Sequence, residues 1–413
     1  MLLTFPAQAP AQFAFTTNSD GSLNIWHGTI LSGPVVIPDT TNGEPIVSIM
    51  PMAFENTSIS SVTIGNNVTN IGTYAFEACQ YMTNVTFGTQ VTSIGDSAFA
   101  GCRSLTNLTI GSSVTNIGNQ MCYQCRNLCS ITIPNSVVSV GGGSFEACSS
   151  LTNVIIGTNV TSIGGNAFGY DTNLTSVTIP DSVVSVGDLF YDCTGLTNVI
   201  LGNGLTNIAP SMFFACVELS NLEIGTNVTS IGAEAFENCF SLTAVTIPAS
   251  VTNIGSDSFQ DCVHLTNVTI LANFTSIGNA AFANCTNLTQ IYFGGNAPSL
   301  GTSDFADDNV DTTAYYLPGT TGWALFSTNS GIMTAPWLPR AQTGDSKFGI
   351  QTNRFGFTIS WASGQTVVVD ACTNLIQPVW IPTQTNLLTR GSVYFSDPAW
   401  TNYPGRFYRL RSP

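Results

Sequence analysis

Residues 102–118 read CRSLTNLTIGSSVTNIG, and residues 239–255 read CFSLTAVTIPASVTNIG, which is the same pattern with few exchanges. The phenylalanines that accompany this pattern recur along most of the chain. They are separated by 22 or 23 residues, apart from one gap of 46 residues between Phe99 and Phe145 that has Cys122 at its centre. A fixed period of this length is typical of a repeat protein in which each unit stacks on the next.

The spacing within one unit predicts its local structure. Apolar and polar residues alternate over 108–110, which indicates a strand with one buried face, and Gly111 then ends the strand with a turn. Phe99, Cys102 and Leu105 are three residues apart, which predicts one helical or 3₁₀ turn before the strand. One unit cannot close a core alone, so we expect stacked repeats with a continuous apolar interior and a mostly β chain.

The repeat pattern resembles the BspA-like, or Treponema-type, leucine-rich repeats over residues 46 to 309. The resemblance implies a curved, right-handed solenoid of about twelve 23-residue repeats, with a strand from every repeat in one parallel sheet. It also implies adhesion at a cell surface. The repeats depart from the pattern at four positions, where we expect a small kink or looser packing: Cys122 replaces Phe, Asp171 and Asp308 replace Cys, and one residue is missing near Asp188.

Charge is scarce and unevenly spread. Charged residues make up 8% of the 413 residues, and the net charge is −15. Residues 1–339 contain two basic and 21 acidic residues, whereas residues 340–413 contain seven basic and three acidic residues. Binding to a phosphate backbone needs lysine and arginine, and a membrane helix needs about 20 apolar residues in a row. We therefore expect no nucleic-acid partner and no transmembrane segment, and the asymmetry indicates two domains.

The two ends of the chain differ from the repeats. Residues 1–11, MLLTFPAQAPA, resemble the end of a secretory signal peptide, with a floppy apolar terminus as the alternative. We predict that residues 12–45 form a hairpin that caps the first repeat, and that residues 310–339 form a second cap and a linker. In residues 340–413, five short alternating segments predict a small β-sandwich. The signal-like start predicts a secreted or cell-surface protein.

Nine cysteines share one position of the repeat. We predict that they form a buried column of free thiols, which act as small apolar side chains. Parallel side chains on neighbouring rungs keep their Cβ atoms about 5 Å apart, whereas a disulfide prefers ~3.8 Å. Around Cys125, a local Cys122–Cys129 disulfide and a metal site are the alternatives. Zinc needs further Cys or His ligands, and the chain has only His27 and His264, so we expect no metal and no cofactor.

Catalytic residues are not evident. Two histidines leave few candidate general bases, and His264 is interpreted as a solvent-facing loop residue. Most acids, such as Glu77, Glu146, Glu237 and Asp261, occupy variable positions that we interpret as a solvated edge. We interpret the densest acidic cluster as an acidic loop, with calcium binding as the alternative; it contains Asp304, Asp307, Asp308 and Asp311.

The outward side of the predicted strands is the strongest candidate for a functional surface. Alternation places Asn at one outward position and Thr two residues later, which gives parallel rows of uncharged side chains that form hydrogen bonds. The alternative is that Asn and Thr are simply good surface residues of a sheet. The candidate binding face contains Asn84, Thr86, Asn107, Thr109, Asn153, Thr178, Asn198, Asn221, Glu223, Thr246, Asn267, Thr269 and Tyr292.

These features favour a protein that binds an extracellular protein or glycan through this face and catalyses no reaction. The first alternative is a structural role, in which the repeats self-assemble or the Thr and Asn rows bind an ordered lattice such as ice. The second is a glycan-active enzyme with Trp361, Trp380 and Trp400 as sugar platforms, although we expect these tryptophans to pack the core of the small sandwich.

Overall fold

A computed structural model describes residues 13–28, 32–271, 276–306, 311–352, 354–403 and 405–413. Contacts between residues divide the chain into two compact units. The first unit contains residues 13–268, 276–289 and 298–306, and the second contains residues 269–271, 290–297 and the described part of 311–413. The predicted signal-peptide remnant at residues 1–11 lies outside the described residues, as do Asp307 and Asp308.

Most of the chain consists of short strands, in which a longer strand and a shorter strand follow each other in turn. In chain order they are β1 (Phe13–Thr17), β2 (Leu23–Gly28), β3 (Ser32–Val36), β4 (Thr40–Thr41), β5 (Glu44–Ile49), β6 (Ser58–Thr63), β7 (Asn70–Ile71), β8 (Asn84–Thr86), β9 (Ser93–Ile94), β10 (Asn107–Thr109), β11 (Asn116–Ile117), β12 (Ser130–Ile133), β13 (Ser139–Val140), β14 (Asn153–Ile156), β15 (Ser162–Ile163), β16 (Ser176–Ile179), β17 (Ser185–Val186), β18 (Asn198–Leu201), β19 (Asn207–Ile208), β20 (Asn221–Glu223), β21 (Ser230–Ile231), β22 (Ala244–Ile247), β23 (Asn253–Ile254), β24 (Asn267–Ile270), β25 (Ser276–Ile277) and β26 (Gln290–Phe293).

Equivalent strands of successive repeats pair in parallel. In the longer set, β3, β6, β8, β10, β12 and β14 form one sheet, in which Asn107 lies opposite Asn84 on one side and Ser130 on the other. In the shorter set, β2, β5 and the odd-numbered strands β7 to β17 form a second sheet, with Asn116 opposite Ser139. The fold is a parallel β-solenoid of about thirteen turns, which confirms the predicted class. Its handedness and curvature stay predictions.

The third side of each repeat consists of β-turns, and the predicted helical or 3₁₀ turn is wrong. The Cys102 N–H donates to the Phe99 carbonyl at 3.2 Å, and the Leu105 N–H donates to the Cys102 carbonyl at 3.0 Å. Gly101, between Phe99 and Cys102, has a φ of 70°, a left-handed conformation that a right-handed helical turn cannot include. The Phe99 N–H donates to the Met121 carbonyl of the next repeat at 2.8 Å. The turns therefore form a hydrogen-bonded ladder between repeats.

The interior contains columns of identical side chains. Along the phenylalanine column, consecutive rings stack with their centroids 5.0 to 5.8 Å apart. The cysteine column is fully buried, which confirms the predicted burial. Each of its thiols donates to a backbone carbonyl of the preceding repeat at 2.9 to 3.3 Å. The column contains Cys79, Cys102, Cys125, Cys148, Cys193, Cys216, Cys239, Cys262 and Cys285.

The ladders are interrupted near two of the predicted irregular positions. In the part of the chain that the structure describes, no backbone ladder joins β14 to β16, and Asp171 shortly precedes β16. The shorter strands are interrupted between β17 and β19, on either side of Asp188. The Cys122 rung is continuous, since its N–H donates to the Ser144 carbonyl at 2.7 Å. A third interruption, between β20 and β22, was not predicted.

A hairpin covers the N-terminal end of the solenoid. Strands β1 and β2 pair antiparallel, with Phe13 opposite Gly28. The Phe13 ring contacts Phe54 edge to face, with centroids 6.0 Å apart, so it covers the first ring of the phenylalanine column. The solenoid pairing already includes part of this segment, because β2 is parallel to β5 and β3 is parallel to β6.

The second unit begins with parallel strands and one helix, and ends in antiparallel sheets. Its elements after β26 are β27 (Thr313–Tyr316), α1 (Trp323–Ser330), β28 (Met333–Pro336), β29 (Arg340–Gln342), β30 (Gly349–Gln351), β31 (Arg354–Ser360), β32 (Thr366–Cys372), β33 (Ile381–Leu387), β34 (Ser392–Asp397), a 3₁₀ turn (Trp400–Asn402) and β35 (Phe407–Arg411). Gln290 lies opposite Thr313, so the 23-residue register continues past Phe305, where we expected it to end.

The C-terminal part of the second unit is a small antiparallel β domain. One sheet contains β29, β30, β31 and β34, and the other contains β33, β32 and β35 in that order. Phe357, Ile359 and Trp361 from the first sheet and its following loop share a core with Val367 and Val369 from the second. Two sheets over a common apolar core agree with the predicted small β-sandwich.

Candidate functional site

The outward side of the longer strands is here called the long-strand face. Val85 and Leu108, which lie between its predicted residues, are buried, so the alternation of the strands is as predicted. Nine predicted residues are exposed: Asn84, Thr86, Asn107, Thr109, Asn153, Thr178, Asn221, Glu223 and Thr246. Asn198, Asn267, Thr269 and Tyr292 are half-buried.

Strand pairing brings part of the predicted face together. Asn107 lies directly opposite Asn84, and Asn198 lies opposite Asn221 in the three-stranded sheet of β16, β18 and β20. Thr269 and Tyr292 belong to the second unit. There the Tyr292 ring stacks on Tyr315 with centroids 5.0 Å apart, and Tyr292 therefore belongs to an aromatic cluster.

Threonine hydroxyls differ in their partners from one side of the solenoid to another. Just before the longer strands, the Thr106 hydroxyl donates to the Thr83 carbonyl at 3.3 Å. On the side of the shorter strands, the Thr115 hydroxyl donates to the Thr92 carbonyl at 3.2 Å. On the long-strand face, by contrast, the hydroxyls of Thr109, Thr178 and Thr246 form no hydrogen bond within the described residues. Each can both donate and accept, so these groups are available to a partner.

A depression of about 410 Å³ lies in the long-strand face between β14 and β16. The Cα atoms of these strands come within 8 Å of each other, yet the described residues show no ladder between them. The side chains of Val154 and Val177 are buried, so these two residues line the depression with main-chain atoms. None of the residues that line it is charged or aromatic.

Two exposed isoleucines on this face are absent from the predicted set. Ile155 lines the depression and is 53% exposed, and Ile200 is 37% exposed. Ile155 lies opposite Thr132, and Ile200 lies opposite Thr178, so both occupy positions of the threonine row. The sequence carries the signal, because alternation in Asn153–Ile156 already points residue 155 outward.

Acidic groups are rare on the long-strand face and frequent beside the turns. Glu223 is the one charged residue among the described outward positions of the longer strands. Glu237, beside the turns, is half-buried. Burial, together with repulsion from Glu234, Asp257 and Asp261, raises the pKa of Glu237 to about 7.

The prediction that the acids beside the turns form a solvated edge is wrong, because their side chains are less exposed than expected. Glu77, Glu146 and Asp261 are half-buried, as Glu237 is. Burial raises the pKa of Glu77 and Glu146 above the ordinary value.

Asp171 is an acid inside the cysteine column. It is fully buried, and neither carboxylate oxygen has a hydrogen-bond partner among the described residues. Burial raises the pKa of Asp171 well above its ordinary value, which favours the neutral carboxylic acid. In neighbouring rungs the thiol donates to the carbonyl of the residue 25 or 26 positions earlier. For Asp171 the matching residue, 26 positions earlier, is Phe145.

The other sites considered from the sequence are structural in character. Cys122 is buried, whereas Cys129 is exposed and its thiol lies 3.3 Å from the Asn127 carbonyl. Among the described residues, no group of three or more His, Cys, Asp or Glu side chains is placed to hold a metal ion. His264 is exposed, as predicted, and its Nδ1 lies 2.7 Å from the Phe240 carbonyl.

The acidic cluster near residue 305 has one buried member. Asp304 is 4% exposed, and burial raises its pKa to about 6. Asp311 is exposed, and Asp307 and Asp308 lie outside the described residues. Calcium binding by this set therefore stays the alternative that the sequence offers, since two of its four members are outside the described part of the chain.

The three tryptophans considered as sugar platforms have separate environments. Trp361 is a core residue, 6% exposed, and its indole N–H donates to the Trp337 carbonyl at 2.8 Å. The Arg409 guanidinium lies over the Trp380 ring, 4.7 Å from its centroid. Trp400 is half-buried in the 3₁₀ turn. The expectation that tryptophans pack the core is confirmed for Trp361.

The parallel ladders and the repeated columns define a solenoid repeat protein. A sequence profile of the BspA type leucine rich repeat region matches residues 47–172, 115–232, 163–289 and 206–315. The chain belongs to this BspA type leucine-rich repeat family. Among the described residues, no helix has the length and apolarity needed to cross a membrane.

Several solved structures are similar to this chain. A leucine rich cell surface protein from Faecalibacterium prausnitzii A2-165 is 27% identical, with 70% of this chain and 94% of that chain covered and a TM-score of 0.46. The T. pallidum leucine rich repeat protein is 25% identical, with 51% and 90% covered and a TM-score of 0.41. The pneumococcal vaccine antigen PcpA is 15% identical, with 78% and 96% covered and a TM-score of 0.40. A comparison with curated proteins gives no match.

Proposed function

We propose that this chain is an exported or cell-surface interaction module that binds an extracellular protein or glycan through the long-strand face. The observation that carries the proposal is the set of exposed hydroxyls, at Thr109, Thr178 and Thr246, that have no partner in the described part of the protein. Membership of the BspA type family supports an interaction role at a cell surface.

The chemistry of the long-strand face favours binding over catalysis. General acid–base catalysis needs titratable groups within hydrogen-bond reach of a substrate. The residues that line the depression are all uncharged, and Glu237, whose pKa is strongly raised, lies beside the turns. A partner rich in hydroxyl or amide groups fits the rows of Asn and Thr, because each row offers donors and acceptors in alternation.

The depression between β14 and β16 is the proposed anchor point within this face. Its volume of about 410 Å³ lies within the range of small-ligand sites, ~300–1,000 Å³. Ile155 supplies apolar surface there, with Asn153 and Ser176 beside it. Apolar residues surrounded by polar ones are typical of the energetic centre of an interface. We therefore expect substitutions at this point to weaken binding more than those elsewhere on the face.

The proposal is tested by binding to immobilised extracellular-matrix proteins and to an array of neutral glycans. The full chain is compared with Thr178→Arg, which places a cation in the depression. The matched control is Thr115→Arg, at an exposed position directly before the shorter strand β11. We expect Thr178→Arg to weaken binding at least about tenfold, or 1.4 kcal/mol, and Thr115→Arg to leave it unchanged.

Two results would contradict the proposal. One is equal binding by the two arginine variants, and the other is the absence of binding to every matrix protein and glycan tested. Light scattering adds a test of the structural alternative. Particles that grow with protein concentration and are abolished by Thr178→Arg would indicate that the face joins copies of this chain.

A further inference from the structure

The C-terminal β domain contains a cavity of about 490 Å³. Five consecutive residues, 406–410, line it. Successive side chains of a strand point to opposite faces, so consecutive residues of β35 line one cavity only along the edge of the strand. In the described part of the chain, β35 pairs with β32 alone. The cavity therefore runs along the unpaired edge of β35.

The other sheet supplies the opposite wall. Ala341 of β29 lines the cavity and is exposed, and β29 is an edge strand that pairs with β31 within the described residues. Phe355, Phe357 and Tyr408 form an aromatic floor, in which the Phe355 and Tyr408 rings stack with centroids 5.3 Å apart. The cavity is thus a slot between two strand edges over an apolar floor, and we call it the β35 slot.

Two arginines are among the residues that line the β35 slot. Arg406 lies 2.7 Å from Asp397 and is nearly buried. Arg409 Nε lies 3.0 Å from Asp370, its guanidinium lies over the Trp380 ring, and its side chain is 47% exposed. Residues 340–413 carry seven basic and three acidic residues. The charge near the slot therefore favours an acidic occupant.

We propose that the β35 slot binds an extended peptide segment, with alternating apolar and acidic side chains, that pairs with β35 as an added strand. An unpaired strand edge is a template for such pairing, and main-chain hydrogen bonds then supply affinity while pockets for alternate side chains supply specificity. At ~3.4 Å per residue, the five residues of β35 match a segment about 17 Å long. The site is separate from the long-strand face and does not depend on it.

The test uses the full chain and a fluorescein-labelled octapeptide of alternating valine and glutamate. Fluorescence anisotropy at low salt measures its affinity. A control octapeptide carries N-methyl groups on every second amide, which removes the donors of one edge and keeps the side chains. We expect the methylated peptide to bind at least tenfold more weakly, and hydrogen exchange of residues 407–411 to slow when the unmethylated peptide is bound.

A pair of variants locates the binding. Ala341→Phe fills the β35 slot from an exposed edge position, and Thr385→Phe makes the same kind of change at an exposed position of β33, outside the slot. We expect at least a tenfold loss for Ala341→Phe and no loss for Thr385→Phe. Circular dichroism checks that both variants are folded.

Several results would overturn the proposal. They are no binding of the octapeptide up to about 1 mM, equal binding of the methylated peptide, and wild-type affinity in Ala341→Phe. Laurate is a further probe, because its carboxylate and apolar tail match the guanidiniums and the aromatic floor without main-chain donors. Laurate binding that Ala341→Phe blocks, without octapeptide binding, would assign the slot to an anionic amphiphile instead.

Discussion

Asp171 occupies the position of the repeat that holds cysteine in the neighbouring repeats. The thiols are satisfied by burial there, whereas a carboxylate is not. A buried thiol keeps its proton and donates a hydrogen bond to a carbonyl, as Cys193 does to the Phe168 carbonyl at 2.9 Å. A buried carboxylate would be charged and without a partner, which is costly. The raised pKa of Asp171 means that the side chain avoids this cost by staying protonated, and that it loses this protection as the pH rises.

Replacing Asp171 by cysteine is predicted to stabilise the protein. Asp171→Cys restores a thiol that can donate to the Phe145 carbonyl, and it removes a buried unsatisfied group worth about 1–3 kcal/mol. Urea unfolding at pH 8 measures the change. The control Thr172→Cys adds a thiol at the neighbouring exposed position and should change the free energy of unfolding little. A lower stability for Asp171→Cys than for the wild type would contradict this account of the column.

Glu237 is predicted to make stability depend on pH. Its folded-state pKa is about 7, against an ordinary value of 4.5, so the folded state binds its proton more tightly than the unfolded state. The resulting stabilisation is fully present below about pH 4.5 and is lost as the pH rises to about 7. The melting temperature should therefore fall between pH 4.5 and 8, and it should fall less in Glu237→Gln than in the wild type. The control Glu218→Gln, at an exposed position, should show the same fall as the wild type. Equal falls in melting temperature for the two variants would count against Glu237 as the source of the pH dependence.

At the scale of elements, sequence patterns predicted the strands better than the turns. Alternation in the repeat gave the longer strands, because a two-residue period has one common structural meaning. The three-residue spacing of Phe99, Cys102 and Leu105 fits both a 3₁₀ turn and consecutive β-turns. The two differ in the sign of φ at the residue just before the cysteine, which is positive in the structure, as at Gly101 with a φ of 70°. Non-glycine residues fill most of these positions, so no glycine pattern marks the left-handed conformation.

The turn ladder predicts opposite effects for two substitutions at Ala215. This residue has a φ of 56°, a conformation that costs L-residues roughly 1–2 kcal/mol and is worst for β-branched side chains. Ala215→Val should therefore lower the free energy of unfolding by more than about 1 kcal/mol, while Ala215→Gly should leave it unchanged or raise it. Chemical denaturation of the two variants is the measurement. A valine variant as stable as the glycine variant would show that the ladder is not strained there.

At the scale of the whole molecule, the candidate site was only partly predictable from sequence. The rows of Asn and Thr follow from alternation and from a constant repeat length. The depression depends on the missing ladder between β14 and β16, which no single repeat reveals, although Asp171 marked this region as irregular. The β35 slot was not predictable either, because it depends on which strand edges the two C-terminal sheets leave unpaired.

The solenoid architecture predicts that a whole repeat can be removed and half a repeat cannot. Deletion of residues 239–261 removes 23 residues and places Cys262 after Asn238, in the position of Cys239. Stability in such proteins is close to a sum over neighbouring repeats, so this variant should fold with modestly lower stability. Deletion of residues 239–250 breaks the register and should prevent cooperative folding. Circular dichroism and size-exclusion chromatography distinguish the outcomes, and equal behaviour of the two deletions would contradict the register.

The central claim, that the long-strand face is where a partner binds, is tested most directly by hydrogen–deuterium exchange of the full chain with and without the protein or glycan that it captures. The account predicts slower exchange in Asn153–Ile156 and Ser176–Ile179, the two strands that border the depression. Unchanged exchange there, with protection instead in the shorter strands Asn116–Ile117 and Ser139–Val140, would contradict it.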